Sequence, residues 1–314
     1  MTDRDIDDCC RATAVRARAL LGMAMLIAAP GILGAAEPGY DRAGLDAGQS
    51  KLAGRMLTFI ETMDAMHLGW VSRLNGNTDF TSKSWKDDSA DYDVRVWRGP
   101  VIEKTGFTTS VTKLGIAPYT EDAIWSRVVT INSHPATPLA GYFHGFVAFQ
   151  YNTNGTSSIG GWMDIIPSVS NDEDLAYIRQ RVDRVFEKFE VDPAPYRRAV
   201  CSGQRQEHLG PACVGVSFYA PPFLDITEQN LNLVLETFAA LFGAYTVVVD
   251  KRMDQPYSES DLSAQENLRR KWLEDQMLYD PYAQNVIPHA VRSFANYPPS
   301  VKYYYSVNLY PRVK

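Results

Sequence analysis

Short runs of alternating side chains most constrain this fold. Arg127 to Asn132 and Tyr142 to Tyr151 read as β-strands, and Val94 to Trp97 and Phe107 to Val111 precede them in the same style. Successive strand residues point to opposite faces, so such runs in close succession imply a meandering antiparallel sheet. Candidate chemistry sits at the strand edges. His134 closes Thr130-Ile131-Asn132-Ser133-His134-Pro135, His144 follows ten residues later, and Asp164 stands in Ile159-Gly160-Gly161-Trp162-Met163-Asp164 beyond a turn. Two imidazoles and a carboxylate are thus expected in one cleft.

A chain of 314 residues, 45% hydrophobic and 11% aromatic, fits one large domain or two small ones. A net charge of -6 and a pI near 5.4 leave no basic stripe for phosphate neutralisation, so nucleic acid is not an expected partner. Arg11, Arg16 and Arg18 precede the apolar run Ala19 to Ala36, which ends on the small residues Gly34, Ala35 and Ala36. This is the pattern of a secretory signal over 1–36, implying export to the periplasm; a membrane anchor over 19–36 is the competing reading. Residues 37–50 read as a linker and 51–314 as the folded domain. Cys201 and Cys213 would remain after cleavage, as a disulfide or as two buried thiols.

A first helix is expected from about Gln49, with Leu52, Met56, Phe59, Ile60, Met63 and Met66 at helical spacing. The polar stretch Asn75 to Asp91 reads as a loop. Helices are expected over Asp172 to Glu190, Thr227 to Tyr245 and from Ser258 to about Leu278, with strands at Cys213 to Tyr219 and Tyr303 to Tyr305. The sum is an α+β fold, a sheet covered by helices.

The order of these pieces, with Trp97-Arg98-Gly99-Pro100 before them and Lys251-Arg252-Met253-Asp254, Leu268-Arg269-Arg270 and Leu278-Tyr279-Asp280 after, resembles the oxygen-dependent coproporphyrinogen III oxidases over roughly residues 50–305. The resemblance implies a large flat antiparallel sheet sandwiched between helices, a homodimer, and oxidative decarboxylation with molecular oxygen and no cofactor. It implies catalytic roles for His144 in proton transfer, Asp164 in substrate orientation and His134 in shaping the site. Ser133, Thr130, Phe146, Trp162 and Arg205 are the expected substrate-binding residues.

Departures from the family pattern redirect the substrate. Where it places Asn and Arg to hold a propionate, this chain has Phe146 and Ala148, and Pro281-Tyr282-Ala283 replaces a further cationic turn. Burying a carboxylate there without a partner would cost several kcal/mol. An oxidase of a tetrapyrrole-like or smaller aromatic substrate is therefore expected; the alternatives are an exported, non-catalytic binder of a flat aromatic ligand and a genuine coproporphyrinogen oxidase using Arg205, Arg292 or Lys302.

Each residue also has a plain structural reading. His134 can cap a turn before Pro135, His144 can be a satisfied core histidine, and Asp164 can close a turn. Arg98 and Lys104 read as surface charges, and His67 and His289 as incidental. His134, His144 and Asp164 also match a facial triad for iron, or for copper in an exported protein, but their spacing fits no compact ligand motif. No metal is therefore assigned.

Overall fold

The computed structural model describes residues 42, 44–88, 90–113, 123–202, 209–219, 224–280 and 287–302. The expected signal region, Arg205, the turn at 281–283 and the strand at Tyr303 to Tyr305 lie outside them. Residues 42–314 group as one unit. Helix α1 (Ala47–Asn75) is followed by six strands: β1 (Phe80–Lys86), β2 (Ala90–Trp97), β3 (Ile102–Thr112), β4 (Ala123–Pro135), β5 (Tyr142–Asn152) and β6 (Ser157–Ile166). Then come α2 (Asp172–Lys188), α3 (Ala194–Cys201), the two-residue β7 (Val216–Ser217), α4 (Glu228–Arg252), α5 (Glu259–Glu274), a π-helical turn (Asp275–Tyr279) and α6 (His289–Ala295).

The seven strands pair in sequence order, every neighbour antiparallel. The meander is as expected, and the pleat gives the sheet two unlike faces. Phe107, Ile131, Phe143, Val147, Met163 and Ile165 join α1, α2 and α4 in the main hydrophobic core. Phe143 meets the rings of Phe238, Phe242 and Tyr245 on α4, at centroid distances of 6.3, 5.3 and 5.2 Å. The opposite pleat carries Thr108, Thr130, Phe146 and Trp162 in one cross-strand row and Asn132, His144 and Asp164 in the next. At one end of this second face α6 packs Val291 and Ala295 on Tyr92, Val94 and Val96. At the other, Leu268 and Trp272 of α5 cover Tyr142 and Ile166.

Local chemistry explains the helix ends. Asp46 and Gln49 form a reciprocal capping box at the start of α1, inside the stretch expected as linker, and Gly76 ends the helix at φ 70°. Asn171, Thr227 and Ser258 cap α2, α4 and α5 through their side-chain oxygens. The buried stripe of α1 runs through Met56, Ile60, Met63, His67 and Trp70, whereas Met66 is exposed.

Several boundaries differ from expectation. Phe80–Lys86 is a strand, not part of a loop: almost every residue is exposed, so no alternation marks it, and pairing with β2 defines it. Helix α4 continues past Tyr245 to Arg252, because Val248 and Val249 stay on its buried side despite the β-preference of Val247-Val248-Val249. By length and composition α4 could cross a membrane, but its apolar side chains serve the core. Only Val216–Ser217 of the strand expected from Cys213 to Tyr219 pairs with β6.

Candidate functional site

A cavity of about 330 Å3 lies on the second face of the sheet, at the low end of ligand-pocket sizes. Thr130, His144, Phe146, Ala148 and Trp162 line it from β4, β5 and β6, and Tyr219 adds a wall. Gln276, Asp280 and Asn296 close it from the π-helical turn and the segment after α6. Among the described lining residues there is no lysine or arginine, and the single acid is Asp280. Thr108 and Ser158 line the cavity, and their hydroxyl oxygens are buried with no hydrogen-bond partner among the described residues. Each lacks a bond whose absence costs about 1–3 kcal/mol in a dry site.

His144 is 7% exposed and sits among the rings of Trp272, Trp162 and Phe146, at 5.1, 5.3 and 5.7 Å. Its Nδ1 is 2.5 Å from Oδ1 of Asn132, the cross-strand neighbour. The same oxygen accepts the Tyr142 hydroxyl at 2.5 Å, and Nδ2 of Asn132 donates to Oδ1 of Asn296 at 2.8 Å. Asn132 is fully buried and was not singled out from the sequence. Its signal was there: an amide on the same pleat as His134 and Thr130.

The other expected residues divide. His134 is outside the large cavity, stacked on Tyr142 at 4.2 Å with Nε2 3.4 Å from the Asn296 carbonyl, and borders a small hollow under α5. Burial, aided by the positive charges of Lys104, Arg269 and Arg98, holds its pKa well below the usual histidine value, so the ring is neutral. Ser133, expected at the substrate, is instead on the core face beside Tyr245, because it is three residues from Thr130 and the pleat alternates. Thr130, Phe146 and Trp162 do lie on the cavity floor.

Asp164 shares a cross-strand pair with His144, but its carboxylate is not among the cavity-lining groups. It accepts the main-chain N–H groups of Cys213, Val214 and Gly215 at 2.7, 3.1 and 2.7 Å. Complete burial pushes its pKa up to about 6 against the pull of these bonds. The 213–215 turn is held further by Arg179, which donates to the Cys213 carbonyl at 3.1 Å, and by a Cys201–Cys213 disulfide. A β-carbon at Gly215 would fall 1.9 Å from the Met163 carbonyl oxygen, so only glycine fits.

Other charges are committed elsewhere. Lys104 is 1% exposed rather than a surface charge; Nζ donates to the carbonyls of Ser293 and Tyr297, at the C-terminal end of α6, and burial brings its pKa down to about 7. His67 is wholly buried, with Nε2 2.8 Å from Thr105 Oγ1, whereas His289 is exposed. Arg292 gives its guanidinium to the carbonyls of Ile287 and Gln276, and Lys302 is exposed. Among the described residues no three His, Cys, Asp or Glu side chains converge as a metal site.

A single antiparallel sheet between helices, with its main core on one face and a histidine-lined cavity on the other, defines an α+β architecture. The family model described as coproporphyrinogen III oxidase matches residues 55–312, and the chain belongs to that family. It is 22% identical over 237 residues to the mitochondrial oxygen-dependent coproporphyrinogen-III oxidase of Mus musculus, covering 67% of this chain and 53% of that protein. It is 24% identical over 163 residues to the chloroplastic oxygen-dependent coproporphyrinogen-III oxidase of Hordeum vulgare, covering 47% and 40%. The chain thus spans about half the length of these relatives or less. It is a member of that family at considerable distance from the named enzymes.

Proposed function

We propose an oxygen-dependent oxidoreductase acting on a flat, electron-rich aromatic or tetrapyrrole-like substrate whose rim is uncharged. The observation that carries this reading is the floor beside His144: Phe146 and Ala148 face the cavity, and no described lining residue is a cation. A tetracarboxylate needs several cations or paired donors to leave water, whereas an aromatic ring gains from Phe146, Trp162 and Tyr219. Two electrons and two protons would pass from the substrate to O2, giving hydrogen peroxide, with His144 relaying a proton. Asp164 serves by holding the 213–215 turn against the sheet, and His134 by supporting Tyr142 behind the site.

The protein is proposed to act after export, a reading supported by the signal-like run at 19–36 and by the disulfide, which suits an oxidising compartment. A homodimer without cofactor is proposed from family membership.

The test is oxygen uptake by purified protein of known metal content, against coproporphyrinogen III, its tetramethyl ester and a panel of electron-rich aromatics. Uptake with ester or aromatic but not with the tetra-acid is the expected result. Preferred turnover of the tetra-acid would overturn it and make this an ordinary coproporphyrinogen oxidase. The engagement of Asp164 by three main-chain amides favours a second reading, a binding protein without turnover; tight binding with no uptake by any compound would establish it.

A further inference from the structure

Behind His144 runs a chain of buried amides whose direction is set at its far end. Asp275 and Asp280 are buried side chains of the π-helical turn and its C-cap, and their carboxylate oxygens accept hydrogen bonds. Gln276 therefore presents its NH2 group to them, with Nε2 3.2 Å from Asp275 Oδ2 and 3.3 Å from Asp280 Oδ2. Its Oε1 is left to accept from Asn296 Nδ2 at 3.5 Å. Asn296 then turns Oδ1 toward Asn132 Nδ2 at 2.8 Å, and Asn132 turns Oδ1 toward Tyr142 and His144. An amide oxygen cannot donate, so Nδ1 of His144 must carry a proton. The remaining lone pair, and hence the basic nitrogen, is Nε2.

We infer that Asn132 is a positioning residue that fixes the Nδ1–H tautomer of His144, and that the acids of the π-helical turn fix Asn132 through Gln276 and Asn296. The assignment does not depend on how any one amide is drawn. Reversing one amide would set two oxygens or two NH2 groups face to face, and reversing all three would turn Gln276 Oε1 onto the carboxylate oxygens of Asp275 and Asp280. The chain also connects distant parts of the sequence: Asn132 and Asn296 are 164 residues apart. The histidine behind the site takes the opposite form. His134 Nε2 meets the Asn296 carbonyl, which only accepts, so His134 carries its proton on Nε2.

The catalytic consequence rests on reading His144 as the proton-handling group; the tautomer does not. Long-range proton–nitrogen NMR of protein labelled with 15N-histidine tests it without substrate or oxygen, the His144 signals being assigned by their loss in His144→Gln. The expected wild-type result is an Nδ1–H ring for His144 and an Nε2–H ring for His134. Asn132→Leu is expected to lose the exclusive Nδ1–H signature of His144, and Asn132→Asp, which still accepts from Nδ1, to restore it. Asn296→Leu is expected to loosen it, because Asn132 then loses its anchor. A wild-type His144 protonated on Nε2 would overturn the inference, whatever the variants do. So would Asn132→Leu that folds and keeps a pure Nδ1–H ring. Absence of oxygen uptake would instead remove the oxidase reading and leave the tautomer assignment standing.

Discussion

Asp164 couples the site to solution pH through stability. Its folded pKa of about 6 lies above the unfolded value of 3.8, so between them the folded state holds the extra proton. The contribution is therefore full below about pH 4 and is lost as pH rises through about 6, amounting to about 3 kcal/mol. In urea unfolding, wild type should lose ground relative to Asp164→Asn between those pH values; a constant difference would refute the shift. Asp164→Ala leaves three buried amides without their acceptor and should cost at least about 3 kcal/mol, so its activity is interpretable only beside its unfolding curve. At this scale the sequence was readable where type and period agreed. His144 and Phe146 fall on the cavity face as strand alternation requires, and the same alternation separates Ser133 from Thr130, which proximity to His134 obscured. Asn132 escaped because its partner Asn296 comes from a remote segment.

Strand β5 offers the sharpest test of substrate class, because Phe146 and Ala148 stand two residues apart on one pleat over the cavity. Phe146→Asn with Ala148→Arg should install a carboxylate clamp and tighten binding of coproporphyrin III by about tenfold or more, since a charge-assisted hydrogen bond contributes about 1.5–3 kcal/mol. Fluorescence titration reads it, and no gain would show that this floor does not meet the ligand rim. The 213–215 turn is equally specific. Gly215→Ala drives a β-carbon into main chain that cannot yield and should cost about 3 kcal/mol or more. Reducing Cys201–Cys213, which closes a sequence separation of 12, should cost about 2–3 kcal/mol in a thermal melt with and without reductant. Element types were legible where one face carries the main core and the other the cavity, as in β4 and β5. The exposed β1 and the valine-rich end of α4 were not, because ladder pairing and core contacts decided them against local pattern.

Across the whole molecule, the main core and the cavity occupy opposite pleats of the same strands. Phe143 is fully buried in the core and Phe146 is half-buried at the cavity, three residues further on. Phe143→Ala should cost about 3–5 kcal/mol in urea unfolding, Phe146→Ala much less, and their effects on ligand binding should rank the other way. Equal costs would mean that the cavity face also supports the fold. The α+β class, the meander and its helical cover were readable as a whole because they rest on period and order. The closure of the cavity was not, since its roof comes from segments far along the chain with no periodic mark. The alternating sheet also has a historical consequence. Because odd and even positions answer to different demands, a lineage can rewrite the inscription on one side of the sheet letter by letter while the other side stays untouched. Changes confined to the cavity floor leave the main core unaltered, and a new chemical preference can arise on an unbroken scaffold.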